Sequence, residues 1–98
     1  MNVAVRGGAP GARRFDGRVA LVTGAGGGLG AALARRFAEE GAAVVVADLR
    51  PEAAEDVTAA IRAIGGVALP LRLDVAEEQG WASAVERVGQ VFGRLDVL

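Results

Sequence analysis

Between a short apolar run, Val19-Ala20-Leu21-Val22, and a segment where Leu29, Leu33 and Phe37 recur every four residues lies Thr23-Gly24-Ala25-Gly26-Gly27-Gly28-Leu29-Gly30. A continuous apolar run without alternation reads as a strand buried on both faces. Recurrence every four residues puts a stripe on one face of a helix, here from about Leu29 to Glu40, with Gly41 as its stop. The connection from strand to helix must therefore turn sharply on glycine. It ends on a helix N-terminus, whose first N–H groups lack intrahelical partners and carry a partial positive charge. A turn of this kind receives phosphate groups.

The same strand-helix unit recurs along the chain. Ala43-Val44-Val45-Val46-Ala47 is a second buried strand closed by Asp48, and Pro51 opens a second helix with Val57, Ile61 and Ile64 as its stripe. Gly65-Gly66 closes that helix. Val67, Leu69, Leu71 and Leu73 alternate with Ala68, Pro70, Arg72 and Asp74 as a third strand. Pro70 has no N–H for a ladder, which places this strand at a sheet edge or beside a bulge. A third helix runs from about Ala76 to Phe92 with Trp81, Val85, Val88 and Phe92 as its stripe, and Leu95-Asp96-Val97-Leu98 begins a fourth strand after Gly93. The order β-α-β-α-β-α-β predicts an α/β fold with a parallel sheet. Right-handed crossovers give the strand order 3-2-1-4, the first half of a doubly wound, Rossmann-type architecture.

Composition narrows the chemistry. The sequence has no Lys, His, Cys or Tyr, and all its basic residues are Arg. Within these residues there is no thiolate metal site and no disulfide, no His for a Ser-His-Asp hydrolase, and no Lys for a Walker-A loop. The net charge of -1 leaves no electrostatic footprint for nucleic acid. Residues 1–15 read as a disordered Gly-, Ala- and Arg-rich leader, and 16–98 as the folded part. Arg13-Arg14 ahead of the uncharged Val19–Ala34 stretch imitates an export signal. However, Asp16 and Arg18 interrupt the approach, the glycines break the run, and it is shorter than the ~20 residues of a membrane helix. A cytoplasmic protein without a membrane segment is expected, and the absence of Cys suits a reducing compartment.

The turn fails the strict Gly-x-Gly-x-x-Gly pattern, because Leu29 stands where the last glycine belongs. The relaxed form ending in Ala is met by Gly26, Gly28 and Ala31, and Thr-Gly-x-x-x-Gly-x-Gly by Thr23, Gly24, Gly28 and Gly30. Asp48 follows the second strand, near the expected ~20-residue offset for an acid that holds an adenosine ribose. Its carboxylate would accept hydrogen bonds from the two ribose hydroxyls and repel a 2′-phosphate, which favours NAD over NADP; Arg50, two residues on, complicates that reading. Asp48 also suits a turn or helix cap. Asp74, at the same carboxyl edge of the sheet, either hydrogen-bonds an adenine amino group or caps the third helix.

Together these residues resemble the short-chain dehydrogenase/reductase family. The residues that carry the likeness are the 23–30 turn, Asp48-Leu49, Leu73-Asp74-Val75, and Phe92-Gly93-Arg94-Leu95-Asp96-Val97-Leu98. The resemblance implies that Gly24, Gly28, Leu29 and Gly30 line the pyrophosphate and nearby ribose of NAD, and Gly26 and Gly27 of the same turn are candidate cofactor-binding residues with them. It implies that Asp48 holds the adenosine ribose, that Leu49 packs on the adenine, and that Asp74 and Val75 contact its edge. It further implies a parent oxidoreductase that transfers hydride between NAD and a small alcohol or ketone and that associates with copies of itself. The family continues with an Asn-Asn-Ala-Gly turn, a catalytic Ser and a Tyr-x-x-x-Lys, none of which occurs before Leu98. The expectation is an NAD-binding portion, truncated within the fourth strand and inactive alone, with no catalytic or metal-ligating residue of its own. Two other readings compete. One is an S-adenosylmethionine-dependent transferase fragment, resembled by Gly26-x-Gly28-x-Gly30, although Gly24 stands where that class usually has an acid. The other is a free-standing nucleotide-binding module.

Overall fold

In a computed structural model of the chain, residues 15–96 are described. They form β1 (Val19–Thr23), α1 (Gly28–Glu39), β2 (Ala43–Asp48), α2 (Pro51–Ala63), β3 (Val67–Arg72) and α3 (Glu78–Phe92). Residues of the expected leader before Phe15, and the end of the expected fourth strand, Val97 and Leu98, lie outside the described residues. Phe15 itself belongs to the fold: its ring packs on Phe37 at 5.1 Å between centroids, and its N–H donates to the Glu40 carbonyl (2.8 Å).

The strands make a parallel sheet in the order β1-β2-β3, with Val19 opposite Ala43 and Val46 opposite Pro70. Pro70 thus sits on the outer strand, in a register where its nitrogen faces the open edge and the ladder with β2 loses no bond. Side chains alternate between two cores. Ala20, Val22, Val44 and Val46 face α1 and α2, packing with Ala34, Phe37, Val57 and Ile61. Val19, Leu21, Val45 and Ala47 face α3, packing with Leu73, Ala84 and Val88. Burial on both faces is why β1 and β2 read as unbroken apolar runs.

The crossovers through α1 and α2 lie on one face and α3 lies on the other. With right-handed connections, this switch of face requires the strand order to reverse at β1. The chain after α3 does go to that side: the Asp96 N–H donates to the Val19 carbonyl (3.0 Å), whereas the neighbouring Arg18 carbonyl accepts from Ala43 across on β2 (2.9 Å). The carboxyl end of β1 is therefore the point where the order reverses, the place where doubly wound folds bind ligands.

The helix stripes need correction. Leu29, Ile64 and Val85 are exposed, at 69%, 62% and 47%, and Leu33 is only half-buried. The buried face of α1 is instead Gly30, Ala31, Ala34, Phe37 and Ala38; that of α2 is Ala54, Val57, Thr58 and Ile61; that of α3 is Ala84 and Val88. In α1, small side chains let the helix lie close on the sheet, so its Ala- and Gly-rich face turns inward and the leucines flank it. Among the described residues, no helix is long and apolar enough to cross a membrane.

Candidate functional site

At the carboxyl end of β1 the backbone turns through Gly24 (φ 63°) and reaches α1 at Gly28. Two hydrogen bonds pin the turn to the end of β2: Ala25 N–H to the Ala47 carbonyl (3.0 Å) and Gly26 N–H to Asp48 Oδ2 (2.9 Å). Close approach excludes a side chain at two positions. A Cβ on Gly30 would overlap the backbone carbonyl of Gly24. One on Gly26 would stand 2.7 Å from the Ala53 Cβ and 2.8 Å from Asp48 Oδ2. Gly27 is the N-cap of α1 and supplies no side-chain cap, and the first turn of α1 holds no acid. The first N–H groups of this helix thus have no side-chain cap and no acid in their own turn, and an anionic group suits the place.

Asp48 is buried, and both its oxygens have donors. Oδ2 takes the Gly26 N–H; Oδ1 takes the Arg50 N–H (2.9 Å) and Arg50 Nε (3.2 Å). Burial pushes its pKa up, but the N–H groups of Arg50 and Gly26 and the Arg50 guanidinium outweigh this and hold the carboxyl below its ordinary value. Asp48 does more than close a turn: it ties the end of β2 to the glycine turn across 22 residues of sequence. It does not cap α2, whose N-cap is Arg50 without a side-chain bond.

Beside it, Gly24, Asp48, Leu49, Leu73, Asp74 and Val75 line an open cleft of about 180 Å³. Five of these were expected from the sequence. Leu73 is the addition: it is buried, and its N–H donates to the Asp48 carbonyl (3.0 Å), joining the ends of β2 and β3. Its signal was its place as the last apolar member of the alternating third strand. Leu49 and Val75 offer exposed apolar surface. Asp74 is not the cap of α3, a position that Glu77 occupies without a side-chain bond. Asp74 Oδ1 instead accepts the Ala76 N–H (2.9 Å), and its carbonyl accepts the Glu77 N–H (3.1 Å), forming a tight turn at the cleft wall. Gly26, Gly27, Gly28, Leu29 and Gly30 belong to the turn and the start of α1 and are not part of this cleft lining. Two partners went unread: the Arg50 side chain on Asp48, and the Trp81 Nε1–H on the Val75 carbonyl (3.1 Å). The first had only a two-residue spacing as its signal.

Comparison with known proteins bears on the family and the fold. A family model described as short chain dehydrogenase matches residues 18–98. The 2,5-dichloro-2,5-cyclohexadiene-1,4-diol dehydrogenase LinX of Sphingobium indicum is 53% identical over 87 residues, covering 89% of this chain and 35% of that protein. Meso-2,3-butanediol dehydrogenase of Serratia marcescens is 42% identical over 85 residues, covering 87% of this chain and 33% of that protein. A solved 7α-hydroxysteroid dehydrogenase, complexed with NADH and 7-oxo glycochenodeoxycholic acid, superposes with a TM-score of 0.82 at 37% identity, covering 85% of this chain and 32% of that one. The chain spans about a third of the length of these relatives. All three are dehydrogenases, and the transferase reading is not favoured.

Proposed function

From the premise that this chain belongs to the short-chain dehydrogenase/reductase family of NAD(P)-binding oxidoreductases, we propose that it holds NAD, with NADP disfavoured, through the turn at 24–30 and the cleft at 48–49 and 73–75. The whole protein, on this reading, interconverts a small alcohol and its ketone. Support for the alcohol class comes from relatives each named for a hydroxylated compound. A cytoplasmic setting is part of this reading, and the family resemblance supports self-association of the whole protein.

The single observation that carries the cofactor reading is the buried, ionised Asp48 carboxylate bonded to Gly26 of the glycine turn. One acid is thereby placed where phosphate and sugar recognition meet. The uncapped N–H groups of α1 would take the diphosphate. Asp48 Oδ2 has one internal donor and keeps a lone pair for a ribose hydroxyl, and Oδ1 gains room when the exposed Arg50 side chain moves aside. A 2′-phosphate there would meet a buried like charge. Leu49 and Val75 would sandwich the adenine, and Asp74 and Val75 would read its edge. When bound, the nicotinamide supplies the hydride chemistry. Residues 1–98 contain no Tyr and no Lys, so we assign them cofactor binding and no proton transfer, and no turnover by this stretch alone.

Calorimetric titration with NADH and NADPH tests the reading. NADH should bind at least about tenfold more tightly, because a desolvated like-charge contact is unfavourable. In Asp48→Asn that gap should close. Tighter binding of NADPH, or no binding of either, would refute the assignment.

A further inference from the structure

The wall of the cleft formed by Asp74 and Val75 is held in place from outside the site. Three internal hydrogen bonds engage it. The Asp74 carbonyl accepts the Glu77 N–H (3.1 Å), Asp74 Oδ1 accepts the Ala76 N–H (2.9 Å), and the Val75 carbonyl accepts Trp81 Nε1–H (3.1 Å). The peptide between Val75 and Ala76 is therefore pinned at both ends, its N–H by Asp74 and its carbonyl by Trp81. The first two bonds are local turn contacts. The third comes from a side chain six residues on, seated on α3 and packed against the second core with Phe92 and Leu95. Among the described residues, no internal bond engages the Val75 N–H or Asp74 Oδ2, which leaves a donor and an acceptor on adjacent residues of this wall.

We propose that Trp81 is a positioning residue for base recognition: by holding the Val75 carbonyl it fixes the adjacent Val75 N–H and Asp74 Oδ2 as a donor–acceptor pair that selects a purine with an acceptor ring nitrogen beside an exocyclic amine. This rests on the dinucleotide reading above. Adenine presents that pattern to such a pair. Hypoxanthine, with a ring N–H beside a carbonyl, presents its reverse and would set donor against donor and acceptor against acceptor. Without the indole N–H, the Val75–Ala76 peptide is pinned at one end only, and the pair loses its fixed spacing. The apolar walls and the glycine turn are untouched, so the loss falls on the choice of base and spares the rest of the cofactor.

The test is calorimetric titration of the protein and its Trp81→Phe variant with NADH and with reduced nicotinamide hypoxanthine dinucleotide. The wild type should prefer the adenine form. Trp81→Phe should weaken NADH binding about fivefold, the size expected of one hydrogen bond, and leave the hypoxanthine form unchanged, so that the ratio falls by the same factor. A purely structural role would weaken both forms equally, and that outcome overturns the proposal, as does an unchanged ratio. Failure of the wild type to bind either form overturns the dinucleotide reading itself. If the variant does not fold, the wild type decides. Trp81 is the sole tryptophan, so its indole N–H gives one resolved resonance. That resonance should move further on saturation with AMP than with IMP, and equal or absent shifts overturn the proposal.

Discussion

At Gly30 there is no room for a single added carbon, because the Gly24 carbonyl occupies the place where a Cβ would stand. The obstacle is backbone, which cannot rotate aside as a side chain would. Gly30→Ala must push the start of α1 away from the turn, at a cost of about 1–3 kcal/mol as for other overpacked sites. We expect a lower urea midpoint together with lost NADH binding, read by denaturation and calorimetry. An alanine that leaves both unchanged would show that the turn and helix are not locked together. The requirement for glycine was legible from the pattern around Thr23-Gly24, but the opposing atom was not. Gly24 and Gly30 touch only after the chain has reversed direction, and no spacing rule names the atom they share. Asp48 divides the same way. Its position at the end of an apolar run was visible, while its bond to Gly26 depends on two strand ends being brought side by side.

Helix α1 shows how an element's rotation is decided. Counting every fourth residue picks out Leu29, Leu33 and Phe37, yet Ala34 is fully buried and Leu29 largely exposed. Periodicity identifies a helix reliably, because 3.6 residues per turn is a local property. It identifies the inward face less well when two apolar faces compete, one long-chained and one small. The small face prevails here because α1 must lie against the turn at Gly24 and the backbone of β1. Two substitutions separate these readings. Ala34→Leu should cost about 1–3 kcal/mol, by overpacking. Leu29→Ala should stay within about 0.5 kcal/mol, as for an exposed site. Thermal unfolding of both variants checks the ordering, and the reverse order would restore the leucine stripe. In α3 the same competition leaves Val85 outside and draws Ala84 in.

At the scale of the whole molecule, Asp96 links the end of the described residues to β1. Its carboxylate accepts the Val19 N–H (3.0 Å) across 77 residues of sequence, accepts from Nε and Nη2 of Arg94 at 2.6 Å each, and lies 3.6 Å from Arg18. The Arg94 guanidinium, working against burial and helped by the Val19 N–H, holds this carboxyl at about 2 against an ordinary 3.8. Asp48 is lowered too. A depressed carboxyl pKa means that the unfolded chain binds the proton more readily. The stabilisation is complete above the unfolded pKa and disappears as pH falls through the folded one. The urea midpoint should therefore fall steeply between roughly pH 4 and 2. In Asp96→Asn it should be lower at neutral pH, with a shallower acid slope. An unaltered slope would remove Asp96 from the account of acid unfolding.

The alternation of strand and helix, the glycine turn at the first junction, the acid after the second strand and the edge position of Pro70 were all determined by the sequence alone. Each is a local signal: an apolar run, a repeat of two or four, a missing N–H. Tertiary structure decided which helix faces turned inward, that Asp48 bonds Gly26, that Leu73 joins the cleft, that Trp81 holds Val75 and that Asp96 returns to Val19. These depend on how closely small side chains let a helix approach a sheet and on which chain segments the parallel order places side by side. A one-dimensional pattern carries the period of an element, but not the distance between two elements, and the site is built from those distances.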